Sequence, residues 1–399
     1  MTKTKTRRHA DDLRSVSKLA VEATLGVTGV VKEMHQTIAG GPPILGAPFA
    51  GLARVIAGVV YEPIRGVTKA VGEVIDAALD QLDPFLGESE PGPQRDALVA
   101  ALNGVLGDHL AKTENPLAIQ MTLRSYGQAI PKDAEGLRAL LPAAGKRLLV
   151  MVHGCSMNYR QWTRNGHDHG DALAKEFGFT PLYLHYNSGL HVSENGQAFA
   201  EQLERVLDSW PVPIDEIAIV GHSMGGLVAR SACHVAENEK HRWRTKLRTL
   251  ICLGTPHHGS PIERGGSVFE SLLGWSAYST PLASLGKIRS AGVTDLRYGN
   301  VLKEHWEGRD RFAREGDTRR DLRLPEGVDC FAVAATTSKI QKDSLPGDGL
   351  VPLKSALGMH KRADLTLGFS DTWIALGTGH VDLLSSREVY EQLRKWLRR

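Results

Sequence analysis

The stretch IAIVGHSMGG, residues 217–226, constrains the fold of this chain more than any other part of the sequence. Four apolar residues lead into Ser223, which has one glycine two positions before it and another two positions after it. The apolar run is typical of a buried strand, and the residues after the serine begin a helical pattern. A serine on such a tight turn has a strained backbone, so its neighbours must be small. The segment therefore predicts a strand, a sharp turn that presents Ser223, and a helix.

Short apolar runs alternate with amphipathic helical patterns from about residue 147 to the end of the chain. Near-continuous apolar strands that are separated by helices argue for a mostly parallel sheet with helices on both faces. We therefore predict an α/β fold for this part of the chain. The predicted strands are residues 147–154, 180–187, 217–221, 249–256, 330–336 and 363–369.

Two parts of the chain depart from this alternation. Residues from about 260 to 324 separate two predicted strands by more than a usual crossover, so we expect a cap insertion there. This interval is either the lining of a pocket or a surface insertion with a small core of its own. The apolar side chains that could line a pocket are those of Phe269, Leu272, Leu273 and Trp275.

Residues 1–92 carry two stripes of apolar and small residues at helical spacing, joined by a turn rich in glycine and proline. This pattern predicts a helical hairpin, followed by a main domain over residues 93–399. The hairpin could pack on the main domain, associate with a second copy, or lie on a lipid or polyester surface. The first 38 residues carry more basic than acidic groups, which favours contact with such a surface. The sequence does not specify the oligomeric state.

Net charge, the length of apolar runs and the positions of the cysteines limit the class of protein to which this sequence can belong. The net charge is only +3 and acidic and basic residues are interspersed, which gives no basis for a nucleic-acid partner. We expect no spanning helix and no secretory signal, because no apolar run is long enough. The four cysteines are far apart and lie mostly in apolar segments, which favours buried free thiols and a reducing compartment. The sequence thus predicts a cytoplasmic protein, with no cofactor indicated.

A histidine and an aspartate that could serve Ser223 follow it in the chain. A serine hydroxyl is a weak nucleophile at neutral pH and needs a base, which in turn needs an orienting carboxylate. His380, in GHVDLL, follows the last predicted strand and is the candidate base. Asp348, in GDGLVP, is the candidate acid, and Asp343 and Asp371 are the alternatives. The order of serine, acid and histidine is that of the α/β-hydrolase fold.

Two backbone N–H groups are candidates for stabilising the negative charge on a reacting oxygen. Met224 follows the serine directly and starts a helix, so its N–H is the first predicted donor. Cys155 follows the strand that ends at VHG, and its N–H is the second. His257 and His258 also follow a strand, but they precede the acid in the chain. We expect them to shape the pocket or to make structural hydrogen bonds.

The segment HDHGD, residues 167–171, is rich in potential metal ligands. It has no partner segment at the spacing of a zinc site. We predict a polar loop that leads into a helix, and no metal.

Several of these motifs together resemble a known family. VHG, GHSMGG, LGTPHHGS, GDGLVP and GHVDLL occur in the order that α/β-hydrolase lipases and esterases use. LGTPHHGS with GHSMGG resembles bacterial triacylglycerol lipases and the glycosylphosphatidylinositol inositol-deacylase-like proteins. The resemblance covers roughly residues 116–399 and leaves residues 1–90 aside. Many secreted relatives bind calcium, but no calcium loop of the D-x-D-x-D-G type is present, so that metal is not carried over.

The resemblance implies an α/β-hydrolase fold, to which the sequence patterns add a cap insertion and an N-terminal helical extension. It further implies a serine esterase or lipase that acts on hydrophobic or lipid-like esters through an acyl-enzyme on Ser223. Asp348 and His380 would complete the catalytic triad, and Cys155 and Met224 would supply the oxyanion hole. Two other functions remain open, namely acyl transfer by the same triad and a hydrolase fold that only binds.

Overall fold

The structure is a computed structural model that describes residues 92–260, 290–309, 317, 319–320, 322–340 and 345–398. The predicted N-terminal hairpin lies outside the described residues, apart from residue 92. So do much of the predicted cap, with its four apolar side chains, and the alternative acid Asp343.

In the part of the chain that the structure describes, eight strands form one sheet in the order β2-β1-β4-β3-β5-β6-β7-β8. β1 is antiparallel to both of its neighbours, and all pairs from β4 to β8 are parallel. The strands are β1 (Thr122–Ser125), β2 (Gln128–Ala129), β3 (Arg147–Val152), β4 (Thr180–His185), β5 (Glu216–His222), β6 (Leu247–Leu253), β7 (Asp329–Ala335) and β8 (Asp371–Ala375).

Helices connect most of these strands. They are α1 (Pro93–Lys112), α2 (Ala134–Leu140), α3 (His169–Phe177), α4 (Val192–Ser209), α5 (Met224–Asn238), α6 (Ala291–Asp295), α7 (Leu353–Ala356) and α8 (Arg387–Leu397). Pro93 opens α1 at the first helical position, where an N–H would have no partner within the helix. No helix among the described residues is long and apolar enough to span a membrane.

The central strands carry the core. Residues 148–152 of β3 are fully buried, and β5, β6 and β7 are buried along nearly their whole length. The neighbouring helices α4 and α5 pack closely, because a Cβ added at Gly196 would lie 2.3 Å from Ser231 Oγ. Phe199 and Leu203 of α4 are buried. The four cysteines are buried as well.

The predicted mostly parallel α/β sheet is confirmed, and five of its six predicted strands are present. The strand predicted over residues 363–369 is wrong. A 3₁₀ turn spans Ala363–Leu365 instead, and Leu365 and Leu367 are buried as loop residues that pack on the body. The last strand is β8, whose residues are mostly exposed or half-buried at the sheet edge. An edge strand of this kind has no continuous apolar run by which a sequence pattern could find it.

Candidate active site

Ser223 lies on the tight turn between β5 and α5, with φ 54° and ψ −125°. A positive φ is rare for a residue with a side chain and marks a strained backbone. The adjacent glycines make room for this turn: a Cβ added at Gly221 would lie 2.6 Å from Gly226 Cα, and one added at Gly225 would lie 2.2 Å from the Val152 carbonyl oxygen. The strand, turn and helix predicted from this segment are thus present.

Asp348 and His380 form a buried pair. Asp348 Oδ2 lies 2.7 Å from His380 Nδ1, and both side chains are almost fully buried. The other carboxylate oxygen accepts N–H groups of Leu350 at 2.9 Å and of Val351 at 2.8 Å. Burial alone would raise the pKa of the Asp348 carboxyl, but His380 and these two N–H groups outweigh it, so the pKa lies below its usual value. Asp348 is therefore ionised at neutral pH and fully hydrogen-bonded.

The residues at the end of β6 contact both Ser223 and the Asp348–His380 pair. The Ser223 N–H donates to the carbonyl oxygen of Leu253 at 2.8 Å. The next residue, Gly254, packs against the acid and the histidine: a Cβ added there would lie 3.2 Å from both Asp348 Oδ2 and His380 Nδ1. Ser223, Asp348 and His380 therefore follow the carboxyl ends of β5, β7 and β8, and all three adjoin the end of β6.

His222, the residue before the serine, holds the backbone of His380. Its Nε2–H donates to the His380 carbonyl oxygen at 3.1 Å, and the two ring centroids are 4.8 Å apart. Complete burial, followed by repulsion from the His380 ring, lowers the pKa of His222 to about 3. His222 is therefore a neutral ring that positions His380. The sequence carried no signal for this role, because any residue can occupy that position of the motif.

The loop after β3 passes directly over the serine. A Cβ added at Gly154 would lie 3.0 Å from Ser223 Cβ, which places the backbone of Cys155 beside the turn. Ser156 has a φ of 58°, and its N–H donates to Ser188 Oγ at 2.9 Å. Burial raises the pKa of the Cys155 thiol to about 11, so this side chain is a neutral thiol. The group that Cys155 can contribute to a reaction is therefore its backbone N–H.

Two stacked rings, of His153 and Tyr186, support the loop after β3. His153 stacks on Tyr186 with a centroid distance of 4.3 Å, and the Tyr186 hydroxyl donates to the His153 carbonyl oxygen at 2.8 Å. Burial lowers the pKa of His153 to about 3, so its ring is neutral. Neither Tyr186 nor the supporting Ser188 was predicted from the sequence, since both lie after β4, far from the motifs.

His257 and His258, which follow β6, make contacts of the structural kind that we expect from the sequence. The N–H of His258 donates to Ser355 Oγ at 3.0 Å and its Nε2–H to the Gly358 carbonyl oxygen at 2.9 Å. His257 Nδ1 lies 3.3 Å from Nη1 of Arg230.

The alternative acid Asp371 lies at the wrong end of its strand. It begins β8, and its Oδ2 accepts the indole N–H of Trp396 at 3.0 Å. His380 follows the other end of β8, and five residues of strand span about 13 Å. Asp371 therefore cannot orient His380.

The segment over residues 167–171 runs from a polar loop at residues 167–168 into α3, which begins at His169. Asp168 caps α3: its Oδ1 accepts the Asp171 N–H at 3.0 Å and the Tyr183 hydroxyl at 2.7 Å. His169 Nε2–H donates to the Leu383 carbonyl oxygen at 2.9 Å. The described residues contain no group of side chains arranged to hold a metal ion.

The sheet order, the serine on its strand-to-helix turn and the acid and histidine that follow define the α/β-hydrolase fold. The α/β-hydrolase fold that the sequence predicted is confirmed. More particularly, residues 144–317 match the family model of the PGAP1-like alpha/beta domain, which spans less than half of the chain. None of the curated proteins that were compared matches the chain in sequence.

Solved structures with which this chain aligns include two lipases and an esterase. The mature form of a Bacillus licheniformis lipase aligns at 18% identity and a TM-score of 0.40, over 63% of this chain and 91% of that one. A Pyrococcus furiosus esterase aligns at 13% identity and a TM-score of 0.38, over 64% of this chain and 81% of that one. Lipase 1 of Pelosinus fermentans aligns at 12% identity and a TM-score of 0.36, over 63% and 98%.

Proposed function

We propose that this chain is a serine carboxylic-ester hydrolase that acts on hydrophobic or lipid-like esters. The observation that carries the proposal is the buried Asp348–His380 pair, with its 2.7 Å hydrogen bond, beside a serine on a strained turn. A buried carboxylate is costly to a protein unless it is paired and hydrogen-bonded, and strained backbone clusters at functional sites. The arrangement suits the activation of a hydroxyl for attack on a carbonyl carbon.

In the proposed reaction, Ser223 Oγ attacks the ester carbonyl carbon while His380 takes its proton. The N–H groups of Cys155 and Met224 bind the oxygen that becomes negative. The tetrahedral intermediate then expels the alcohol, which receives the proton from His380, and leaves an acyl group on Ser223. Water, deprotonated by the same imidazole, attacks this acyl-enzyme and releases the acid.

The charges around the pair suit this cycle. Asp348 stays ionised, holds the proton of His380 on Nδ1 and stabilises the imidazolium that forms during the reaction. The neighbouring His222 ring is neutral near pH 7, so it adds no full positive charge that would oppose this imidazolium. The buried Cys155 thiol is also neutral and does not compete with the serine as a nucleophile.

The test is a panel of chromogenic esters of graded acyl length, run with the full chain and with Ser223→Ala. We expect the variant to lose turnover by a factor on the order of 10⁶, as for removal of a triad nucleophile. Ser231→Ala, a buried serine two turns further along α5, is the matched control and should keep its activity. A serine-reactive phosphonate should add its mass to the wild type and to the control, but not to Ser223→Ala.

Retained turnover or retained labelling in Ser223→Ala would refute the assignment of the nucleophile. An added alcohol acceptor separates hydrolysis from acyl transfer, because a transferase would form a new ester instead of the free acid.

A further inference from the structure

Two hydrogen bonds hold the backbone on either side of Cys155 in the loop after β3. The first is donated by His153 Nδ1–H to the Gly154 carbonyl oxygen at 2.8 Å. That oxygen and the Cys155 N–H belong to one planar trans peptide group, so they point in opposite directions. Holding the oxygen therefore helps to set the direction of the Cys155 N–H.

The second hydrogen bond acts on Ser156, the next residue. Its φ of 58° lies in the left-handed region, which costs free energy for a residue with a side chain. The Ser156 N–H donates to Ser188 Oγ at 2.9 Å, and Ser188 is 1% exposed. Without this acceptor, Ser156 would be free to relax to a negative φ, and the rotation would carry the peptide group of Cys155 with it.

Residues 103–107 of α1 lie against another side of Ser156. A Cβ added at Gly104 would lie 2.8 Å from Ser156 Cα, so the helix backbone is in direct contact with this residue. Only glycine leaves room for so close an approach. Ser156 is therefore packed against α1 as well as bonded to Ser188.

The same part of α1 fixes the segment that carries Ser188. On one side of this residue, Asn187 Nδ2–H donates to the Gly107 carbonyl oxygen at 2.8 Å. On its other side, a Cβ added at Gly189 would lie 2.7 Å from Gly107 Cα, and the Gly189 carbonyl oxygen accepts the Gly292 N–H at 3.0 Å. Both neighbours of Ser188 are thus held, which fixes its position relative to Ser156.

We propose that Ser188 is a positioning residue for the candidate oxyanion hole. Its hydroxyl and α1 together keep Ser156 in the left-handed conformation, and this conformation fixes the Cys155 N–H in the direction that a developing oxyanion needs. The inference rests on the proposed function, because it concerns the use of that N–H in ester hydrolysis. A preorganised donor stabilises the transition state more than a donor that must first be oriented.

The expected size of the effect follows from the two hydrogen bonds. Complete loss of one oxyanion-hole donor lowers kcat by a factor of about 10²–10³ in a well-studied protease. In Ser188→Ala the Gly154 carbonyl oxygen keeps its bond to His153, so the Cys155 N–H is loosened rather than lost. We therefore expect kcat on an ordinary ester to fall about tenfold to a hundredfold, with little change in KM.

A thionoester substrate separates positioning from a general structural role. Sulfur replaces the carbonyl oxygen in this substrate and is a weak hydrogen-bond acceptor, so the oxyanion hole contributes little to its hydrolysis. Ser188→Ala should therefore slow the ordinary ester more than the matched thionoester, and the ratio of the two kcat/KM values should fall about tenfold. A loss of folded protein would slow both reactions equally and leave the ratio unchanged.

A second measurement observes the Cys155 N–H directly and needs no turnover. The chain has four cysteines, so ¹⁵N-cysteine labelling of the full-length chain gives one amide signal for each in an NMR spectrum. Cys155→Ser assigns the signal of Cys155. In Ser188→Ala we expect that signal to shift and broaden as the loop samples more than one conformation, while the signals of the other three cysteines stay in place.

Ser125→Ala is the matched control. Ser125 is also buried, and its Oγ donates to the Pro181 carbonyl oxygen at 2.8 Å near the start of β4, whereas Ser188 follows the end of that strand. This variant likewise loses a buried hydroxyl and its hydrogen bond, and it should keep both the wild-type ratio and the wild-type Cys155 signal. Gly104→Ala presses on Ser156 from the side of α1 and should reproduce the effects of Ser188→Ala.

The proposal is overturned if the Cys155 signal of Ser188→Ala equals that of the wild type, or if the ordinary ester and the thionoester slow by the same factor. It is also overturned if Ser125→Ala changes the ratio and the signal as much as Ser188→Ala does. A wild-type Cys155 signal in Gly104→Ala would overturn the contribution of α1. A wild-type chain that hydrolyses no ester would instead refute the proposed function, and the Cys155 signal would still decide whether Ser188 positions the N–H.

Discussion

Asp348 is a full negative charge in a buried position, which a protein tolerates only when the charge is paired and hydrogen-bonded. Its two oxygens have different partners. One accepts the N–H groups of Leu350 and Val351, and the other faces Nδ1 of His380. The first contact fixes the orientation of the carboxylate, so the second determines which nitrogen of His380 carries the proton. Charge and tautomer are therefore coupled at this one residue.

Replacing Asp348 with Asn tests this coupling. The Asn carbonyl oxygen would keep the two backbone N–H groups, so its NH₂ group would face His380 Nδ1 and force the ring proton onto Nε2. A ring protonated on Nε2 cannot accept the proton of Ser223, so we expect kcat to fall by a factor on the order of 10⁴. The measurement is kcat on a soluble chromogenic ester, with circular dichroism to verify folding.

The control for this substitution is Asp382→Asn, two residues after His380 in the same loop. Asp382 is exposed, and its Oδ2 accepts the Gly379 N–H at 3.2 Å. It should change kcat little. Equal kcat values for wild type and Asp348→Asn would contradict the role of Asp348.

At the scale of elements, the turn between β5 and α5 is possible because Gly225 leaves room for the start of α5 to lie against the end of β3. The start of α5 lies so close to the end of β3 that Gly225 faces the carbonyl oxygens of Val152 and His153. Those oxygens belong to backbone that is held in the centre of the sheet, so it cannot move aside. A side chain at this position would push the helix away from the strand.

We therefore predict that Gly225→Ala destabilises the protein strongly. The added Cβ would lie 2.2 Å from the Val152 oxygen, and overpacking of this kind costs about 3 kcal/mol or more when backbone must shift. The free energy of unfolding in urea measures the effect. Gly368→Ala is the matched control, since a Cβ there would meet nothing within 4 Å, and its cost should be below about 1 kcal/mol. Equal stabilities of the two variants would contradict the steric account.

Considered as a whole, the molecule buries several histidines in the neutral form. Burial is the first cause in each case, and it lowers the pKa of His153 and His222 to about 3 and that of His169, His258 and His305 to about 4. In the unfolded chain these rings titrate near pH 6.5. Below that pH the unfolded state therefore binds more protons than the native state does.

The free energy of unfolding should consequently be greatest above about pH 6.5 and should fall as the pH is lowered toward 4. Each such ring contributes up to about 1.4 kcal/mol per pH unit within this window. Urea denaturation at a series of pH values measures the slope. His169→Gln removes one of these rings and should reduce the slope by about one proton. A free energy of unfolding that stays level between pH 6.5 and 4 would contradict this prediction.

Much of the fold was accessible from local sequence pattern. The apolar runs of β3 to β7 identified the parallel sheet because those strands are buried on both faces. β1, β2 and β8 were missed because short or edge strands carry no such run. The positions of Asp348 and His380 in the loops after β7 and β8 followed from chain order, since the carboxyl ends of parallel strands meet at one edge of the sheet.

By itself, the sequence determined the features that depend on neighbours in the chain: the strand and helix on either side of Ser223, the space left by its glycines, and the order of the strands that carry the other two residues. Only the tertiary structure decided the contacts between distant segments. The bond from His222 to the backbone of His380 joins residues 158 positions apart, and the one from Ser156 to Ser188 joins loops of different strands. His257 and His305 likewise line one cavity only after folding. The physical reason is that periodicity records which face of an element is buried, whereas a hydrogen-bond partner depends on which distant segment packs against that face.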